Sequence, residues 1–210
     1  MILDIHTHNP KAADAVVSID IAAIADTLSE TGIFSVGVHP WRAAECGEEQ
    51  VALLERLAER PQVVAIGETG LDGLRGGPLE VQERWLVRHA EVSERLGKPL
   101  VLHMVRTSQQ IIALHRRLKP QVAWVIHGFR GNANVAHALI KEGLYLSVGE
   151  RFNADALCEI PPERLLVETD ESELTIDQVI KRVASSLGLP PDVITETAGT
   201  NARRLFCGLK

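Results

Sequence analysis

The chain has 210 residues, of which 45% are hydrophobic and 24% charged, and its formal net charge is −6. This length predicts a single domain over residues 1–210, and the composition is that of a globular protein. The mildly acidic balance argues against a stable nucleic-acid-binding protein. It leaves room for an enzyme acting on phosphate esters, because bound divalent cations can supply the local positive charge.

The cysteines and the N-terminus indicate the compartment. Cys46, Cys158 and Cys207 are far apart and form no CxxC pair, which argues against a disulfide framework or a Cys-rich zinc site. MILDIHTH lacks the pattern of a signal peptide, and the apolar stretch 15–25 is interrupted by Asp20 and too short to span a bilayer. We therefore predict a cytoplasmic protein with reduced thiols and no membrane association.

Short β-branched runs alternate with stretches of helical periodicity along the chain. Several runs are apolar throughout, which is typical of strands buried on both faces. The predicted strands are 2–6, 16–19, 34–38, 63–67, 100–103, 122–126, 144–148 and 165–168. The predicted helices are 48–60, 79–96, 108–118, 134–141, 176–187 and 192–206.

This alternation predicts an α/β fold with parallel strands, and eight βα units predict a TIM-type (β/α)8 barrel. The chain is short for that fold, which typically needs about 250 residues. About ten residues separate the first two predicted strands, so the first crossover helix is expected to be truncated or missing. The crossover over 150–162 is also short. An irregular or partly open barrel is the alternative.

Metal-binding types of side chain recur where the predicted strands end. In a βα barrel these ends converge on one face, so residues far apart in sequence can meet there. Imidazoles and carboxylates are suitable ligands for divalent metals such as zinc or manganese. The residues at the strand ends are His6, His8, His39, Glu68, His103, His127 and Asp170.

The positions of these residues suggest separate roles. His6 and His8 point to the same side of a strand, so both could bind one ion. Glu68 could bridge two ions, and Asp170 could bind a metal while orienting the attacking water. Each residue taken alone also fits a structural role, such as a core histidine for His103 or a helix cap for Asp170. Their coincidence favours a metal site, whereas three histidines inside predicted helices are expected to be packing or surface residues: His89, His115 and His137.

At these residues the chain resembles the TatD family of metal-dependent deoxyribonucleases, within the amidohydrolase-like barrels. The matching segments occur in the family's order from end to end, and the ordered set is more specific than any single motif. They are DIHTH (4–8), GVHPW (37–41), IGETGLD (66–72), PLVLHMVR (99–106), IHGFRGN (126–132), LYLSVG (144–149), LLVETD (165–170) and TNARRLF (200–206).

The resemblance implies a two-metal site that hydrolyses phosphodiesters in nucleic acid with magnesium, manganese or zinc. It places His6, His8, Glu68 and Asp170 around one metal, and Glu68, His103 and His127 at the other. Asp170 and Glu68 would be the catalytic carboxylates, and His39 would contact the substrate or a further metal. Arginines at the rim could hold phosphate oxygens, or could be solvated surface residues; they are Arg106, Arg130 and Arg151.

The chain departs from the family pattern at its substrate loops. Glu171 and Glu173 follow Asp170, and Gly73 and Leu74 stand where the family has an aromatic pair. Added carboxylates repel a polyanion, so a smaller phosphoester is an alternative to DNA. A hydrolase of small amides, lactones or phosphomonoesters is a second hypothesis, although Glu68 stands where many amidohydrolases carry a lysine. A catalytically degenerate barrel that binds a partner is the third. No obligate protein partner is implied.

Overall fold

The computed structural model describes residues 2–23 and 28–207. Eight strands occur within these ranges, and seven of them both start and end within a few residues of their predicted limits. The exception is the fourth, which continues five residues beyond the predicted end. The strands are β1 Asp4–Thr7, β2 Ala15–Asp20, β3 Phe34–Gly37, β4 Val63–Asp72, β5 Leu100–Val105, β6 Trp124–Ile126, β7 Tyr145–Val148 and β8 Leu165–Val167.

Capping residues mark the ends of several helices. The helix of residues 79–96 ends at Gly97, which adopts a left-handed φ of 64°. The helix that starts at Ile176 is preceded by a Thr175–Gln178 capping box. The helices are α1 Glu48–Ala58, α2 Leu79–Leu96, α3 Ser108–Leu118, α4 Ala133–Lys141, α5 Ala154–Cys158, α6 Ile176–Leu187 and α7 Pro191–Phe206, with 3-10 helices at Pro40–Glu45 and Pro162–Arg164.

The strands form a closed barrel in the order β1 to β8, which confirms the predicted TIM-type fold. Neighbouring strands pair in parallel, as in β3 with β4 and β7 with β8. The barrel is closed rather than partly open. It is irregular in register, with shifts between Asp4 and Thr7, between Phe34 and Ser35, and between Ile66 and Thr69.

The early crossovers account for the short chain. Residues 8–14, between β1 and β2, contain no helix, which confirms the predicted loss of the first crossover helix. The described part of the next connection, residues 21–23 and 28–33, also lacks a helix, and none was predicted between these two strands. The crossover between β7 and β8 is short, as predicted, and contains only α5 and a 3-10 turn among its residues.

The described residues divide into two compact units. One unit comprises the chain up to Val17 together with the chain from Val125 onward, and the other comprises Ser18–Trp124. In the first unit, the buried Asn201 of α7 donates hydrogen bonds to the carbonyls of Pro162 (2.7 Å) and Leu165 (2.9 Å), which attaches α7 to β8. The single domain over residues 1–210 stays a prediction.

The interior is mostly aliphatic. All residues of β1, β3 and β7 are buried. Across residues 2–23 and 28–207, no helix has both the length and the apolar character needed to cross a bilayer. Ile24 and Ala25, at the end of the apolar stretch 15–25, lie outside the described residues.

Candidate metal centre

One group of potential metal ligands lies in the unit that contains both chain ends. His6, His127 and Asp170, here called the His6 group, offer ligand atoms that all lie within 4.8 Å of one another. His6 is fully buried, and its ring centroid is 4.1 Å from that of His127. The Oδ1 atom of Asp170 lies 3.9 Å from His6 Nε2 and 3.7 Å from His8 Nε2. His6 and His8 therefore face the same carboxylate, as the His-x-His spacing predicted.

Hydrogen bonds between β1 and the segment after β8 hold Asp170 in place. The backbone N–H of Asp170 donates to the His6 carbonyl (2.9 Å), and its own carbonyl accepts from the N–H of His8 (3.1 Å). The carboxylate of Asp4 accepts from the backbone N–H (3.0 Å) and the hydroxyl (2.6 Å) of Thr169. Burial raises the pKa of Asp4 to about 6, although these hydrogen bonds act in the opposite direction.

Glu168 supports His127 from beneath. It is fully buried, its Oε1 accepts from the N–H of Gly128 (2.6 Å), and the same oxygen lies 3.4 Å from His127 Nδ1. Burial opposes ionisation of Glu168, but the contact with His127 and the proximity of His6 hold its pKa below the usual range. A carboxylate behind a ligating histidine fixes the orientation and basicity of the ring. The sequence analysis assigned no role to Asp4 or Glu168, although both are acids within apolar strand sequences.

A second group lies in the unit formed by Ser18–Trp124. His39, Glu68 and His103, here called the Glu68 group, also offer ligand atoms within 4.8 Å of one another. Glu68 Oε1 is 3.1 Å from His39 Nε2 and 2.8 Å from His103 Nδ1. The three side chains thus come together, with His39 just after β3 and with Glu68 and His103 inside β4 and β5, which extend beyond the predicted strand ends. His39, which the resemblance placed near the substrate or a further metal, contacts Glu68 directly.

Asp72 is a candidate site residue to which the sequence pattern had assigned no role. It is buried, and its Oδ2 lies 3.3 Å from His103 Nε2 and accepts from the indole N–H of Trp41 at 2.6 Å. Burial opposes its ionisation, but the hydrogen bonds from Trp41 and Leu74 and the neighbouring His103 hold its pKa below the usual range. The sequence signal that could have identified Asp72 is its place as the last residue of IGETGLD, two residues after Gly70.

The helix α2 supports the Glu68 group through two buried side chains. Gln82 accepts from the backbone N–H of Asp72 (2.7 Å) and donates to the carbonyls of Asp72, Arg75 and Gly77. His89 Nε2 accepts from the N–H of Val38 at 3.0 Å, next to His39. Its Nδ1 therefore carries the proton and donates to the Trp85 carbonyl (2.7 Å). Burial lowers the pKa of His89 to about 4, so it is a neutral packing residue, in keeping with the sequence analysis.

A pocket of about 410 Å³ adjoins Asp170 in the first unit. Arg130 and Arg151 line it, and Arg130 Nη2 lies 3.8 Å from Asp170 Oδ2. Arg106 is not among the residues that line it; it is exposed and follows β5 with a φ of 57°. Four glutamates also line the pocket, and two of them follow Asp170 within three residues; they are Glu150, Glu168, Glu171 and Glu173.

Both groups fit divalent metal ions. Each combines imidazole nitrogen with carboxylate oxygen, the donor set used by zinc and manganese. Three protein ligands leave a coordination position open, as in catalytic rather than structural sites. The structure groups His127 with His6 and Asp170, whereas the resemblance assigned it to the other metal.

A parallel barrel with imidazole and carboxylate groups at the ends of its strands is the architecture of metal-dependent hydrolases. The sequence matches the family model described as TatD related DNase over residues 11–207. The chain therefore belongs to the TatD-related family of metal-dependent hydrolases, which confirms the resemblance.

Relatives of this family agree with the assignment. An uncharacterized metal-dependent hydrolase TatD of Mycobacterium tuberculosis is 28% identical over 198 residues, covering 82% of this chain and 75% of that protein. A protein of Cronobacter sakazakii named 3'-5' ssDNA/RNA exonuclease TatD is 32% identical over 203 residues, covering 82% and 76%.

Solved structures show the same fold. A TatD homologue from Escherichia coli K12 superposes with a TM-score of 0.84 at 23% identity, covering 98% of both chains. A TatD family hydrolase from Entamoeba histolytica gives 0.77 at 17% identity, covering 98% of this chain and 97% of that one. At these identities the likeness concerns the fold alone.

Proposed function

We propose that this protein hydrolyses phosphodiester bonds in single-stranded nucleic acid, with one divalent cation at the His6 group and another at the Glu68 group. The observation that carries the proposal is the clustering of imidazole and carboxylate side chains in these two groups. Relatives named as exonucleases of single-stranded DNA and RNA support the choice of substrate.

The residues around Asp170 suit this chemistry. Bound cations would acidify the attacking water and neutralise negative charge on the phosphate. The Asp170 carboxylate, held by backbone hydrogen bonds to β1, would accept the proton of that water as its oxygen attacks phosphorus. Arg130 and Arg151 line the same pocket and would hold the non-bridging phosphate oxygens. The P–O bond to the sugar then breaks, and the departing oxygen takes a proton from solvent.

A nuclease assay tests the proposal. The chain loaded with manganese, magnesium or zinc is incubated with end-labelled single-stranded DNA, RNA and duplex DNA. We expect metal-dependent cleavage that EDTA abolishes and that Asp170→Asn reduces by about 100-fold or more. Asp177→Asn, an exposed aspartate of α6, is the matched control and should leave the rate unchanged. Intact substrates after incubation with metal-loaded protein would refute the nuclease function.

A phosphomonoesterase acting on a small substrate is the second candidate. The pocket beside Asp170 has the volume of a small-molecule site and is lined by Glu150, Glu171 and Glu173, which repel a polyanion. Faster hydrolysis of p-nitrophenyl phosphate than of bis-p-nitrophenyl phosphate or DNA would favour this candidate. If DNA is the substrate, the double variant Glu171→Gln, Glu173→Gln should lower the KM for DNA severalfold, because two carboxylates that repel the polyanion are removed.

We also propose a cytoplasmic location. Cys46, Cys158 and Cys207 are free thiols, which suits a reducing compartment. Fractionation of cells that express the tagged chain tests this, and recovery in a secreted or periplasmic fraction would contradict it.

A further inference from the structure

Trp41 places a large aromatic surface beside the Glu68 group. It lies in the 3-10 helix Pro40–Glu45, two residues after His39, and 44% of its surface is exposed. Its ring centroid is 4.8 Å from that of His39 and 5.9 Å from that of His103, in edge-on contacts. An exposed indole therefore adjoins two of the three proposed ligands of one metal.

The orientation of this indole is fixed from below. Its N–H donates to the buried Asp72 carboxylate at 2.6 Å, and Gln82 in turn holds the backbone of Asp72. The guanidinium of Arg75 lies 4.9 Å from the ring centroid of Trp41. A rigid ring of this kind binds a planar partner with little loss of conformational freedom.

The position of the ring suits a nucleotide. Aromatic side chains next to a cationic groove bind single strands by stacking on the bases, while cations contact the phosphates. Here the exposed indole supplies the stacking surface and Arg75 supplies the charge. No aromatic residue follows β4, where Gly73 and Leu74 stand, so Trp41 after β3 is the aromatic residue that the described part of this unit exposes beside the Glu68 group.

We infer that Trp41, together with Arg75, forms a stacking site for a nucleobase of the substrate, next to the Glu68 group. The inference rests on the proposed function as far as the reaction is concerned, but binding of a nucleobase at Trp41 can be tested without it. The competing explanation is that Trp41 is only a positioning residue, whose N–H orients Asp72 and through it His103. In that case the N–H matters and the ring surface does not.

Binding to a base-bearing and an abasic oligonucleotide separates these explanations. The probes are a fluorescent thymidine pentamer and the same pentamer built from abasic tetrahydrofuran units, and binding to the manganese-loaded Asp170→Asn protein is followed by anisotropy. Trp41→Phe keeps a ring and loses the N–H, whereas Trp41→Leu loses both. Leu189→Ala, at a similarly exposed apolar residue (43%), is the control.

We expect Trp41→Leu to weaken binding of the thymidine pentamer by about 5- to 150-fold, and Trp41→Phe by much less. The protein that retains Trp41 should bind the abasic pentamer more weakly than the thymidine pentamer by a similar factor. Trp41→Leu should weaken binding of the abasic pentamer little further, because the base that would stack on the ring is already absent. Leu189→Ala should change neither affinity. Circular dichroism of each variant checks folding.

Two results would overturn the stacking site. One is an equal loss of affinity for the thymidine pentamer in Trp41→Phe and Trp41→Leu, which would identify a positioning role. The other is equally tight binding of the thymidine and abasic pentamers by the protein that retains Trp41. Hydrolysis assays with Asp170 intact separate this inference from the proposed function. Base-dependent binding without cleavage would refute the nuclease function alone. Cleavage that depends on neither Trp41 nor the bases would refute the stacking site alone.

Discussion

The hydrogen bonds of one side chain, that of Thr169, help to fix the geometry of the His6 group. The hydroxyl of Thr169 donates to Asp4 at 2.6 Å and lies 2.9 Å from the hydroxyl of Thr7, while the Thr169 backbone N–H also donates to Asp4. Thr169 and Asp170 are consecutive, so any shift of one moves the other. The position of a proposed ligand thus depends on an uncharged neighbour.

Thr169→Val should destabilise the fold by about 1–3 kcal/mol, because the buried Asp4 carboxyl loses a hydrogen-bond donor while the side-chain volume is kept. It should also weaken manganese binding, because the segment that carries Asp170 loses one of the hydrogen bonds that hold it against β1. Urea unfolding and calorimetric titration measure the two effects. Thr169→Ser restores the hydroxyl and should recover most of both; a Val variant as stable as the original protein would contradict this account.

His89 should make stability depend on pH. Its pKa is about 4 in the folded protein and 6.5 ordinarily, so between these values the unfolded chain binds more protons. The stability from neutral His89 is therefore complete above pH 6.5 and is lost as the pH falls towards 4, by up to roughly 3 kcal/mol. His89→Gln can still accept from Val38 but cannot titrate, so the original protein should lose stability relative to it over this range.

Urea unfolding of both proteins at pH 7, 6 and 5 checks this expectation. Asp4, whose pKa is raised to about 6, gains stability as the pH falls through the same window, because its folded state binds the extra proton. Both proteins contain Asp4, so its contribution cancels in the difference. A stability difference that stays constant with pH would show that His89 is not held neutral.

The strand β4 shows what sequence patterns can and cannot predict at the scale of elements. Its apolar start predicted a strand, but GETGLD looks like a loop because glycine and acids disfavour strands. The structure continues the strand to Asp72, since Gly70 lets the backbone approach β5 so closely that a Cβ would collide with the His103 carbonyl. The clustered histidines and carboxylates could be proposed as ligands from the predicted strand ends, whereas Asp4, Asp72 and Glu168 could not be identified, because their contacts are with partners distant in sequence.

The contact between α2 and the end of β4 carries a prediction. Gln82→Leu removes four hydrogen bonds to backbone groups of Asp72, Arg75 and Gly77, and should cost about 2–4 kcal/mol of stability. Because Asp72 contacts His103, metal affinity at the Glu68 group should fall by about 10–100-fold. Calorimetry with zinc measures the affinity. Gln110→Leu on the exposed face of α3 is the control; unchanged affinity in Gln82→Leu would remove α2 from the site's support.

At the scale of the whole molecule, the order and closure of the barrel followed from the sequence. Eight alternating units and the loss of the first crossover helix were predicted, because periodicity and connection length record them directly. The grouping of His127 with His6 and Asp170 required distances, because strand order alone does not determine which side chains lie close together.

Metal binding should stabilise the whole molecule. An ion that binds only the folded state adds about 2.7 kcal/mol at 100 times its Kd, which for a chain of this length raises Tm by roughly 5–10 °C. Scanning fluorimetry with EDTA, zinc or manganese measures this shift, with potassium at equal ionic strength as control. His6→Ala and His103→Ala should each remove one of the bound ions counted by elemental analysis. An unchanged Tm and no bound metal would refute the site.

The hydrogen bonds between Asp4 and Thr169 have a consequence for synthesis on the ribosome. The two residues are 165 positions apart, so at about 5–20 residues per second the partner of Asp4 emerges roughly 8–33 s later. The unit Ser18–Trp124 is continuous in sequence and can assemble on the nascent chain, while the other unit needs both ends. Until the C-terminal part of the chain has emerged, Asp4 and His6 of β1 are therefore exposed to solvent or bound by a chaperone, and a stalled chain would leave them exposed.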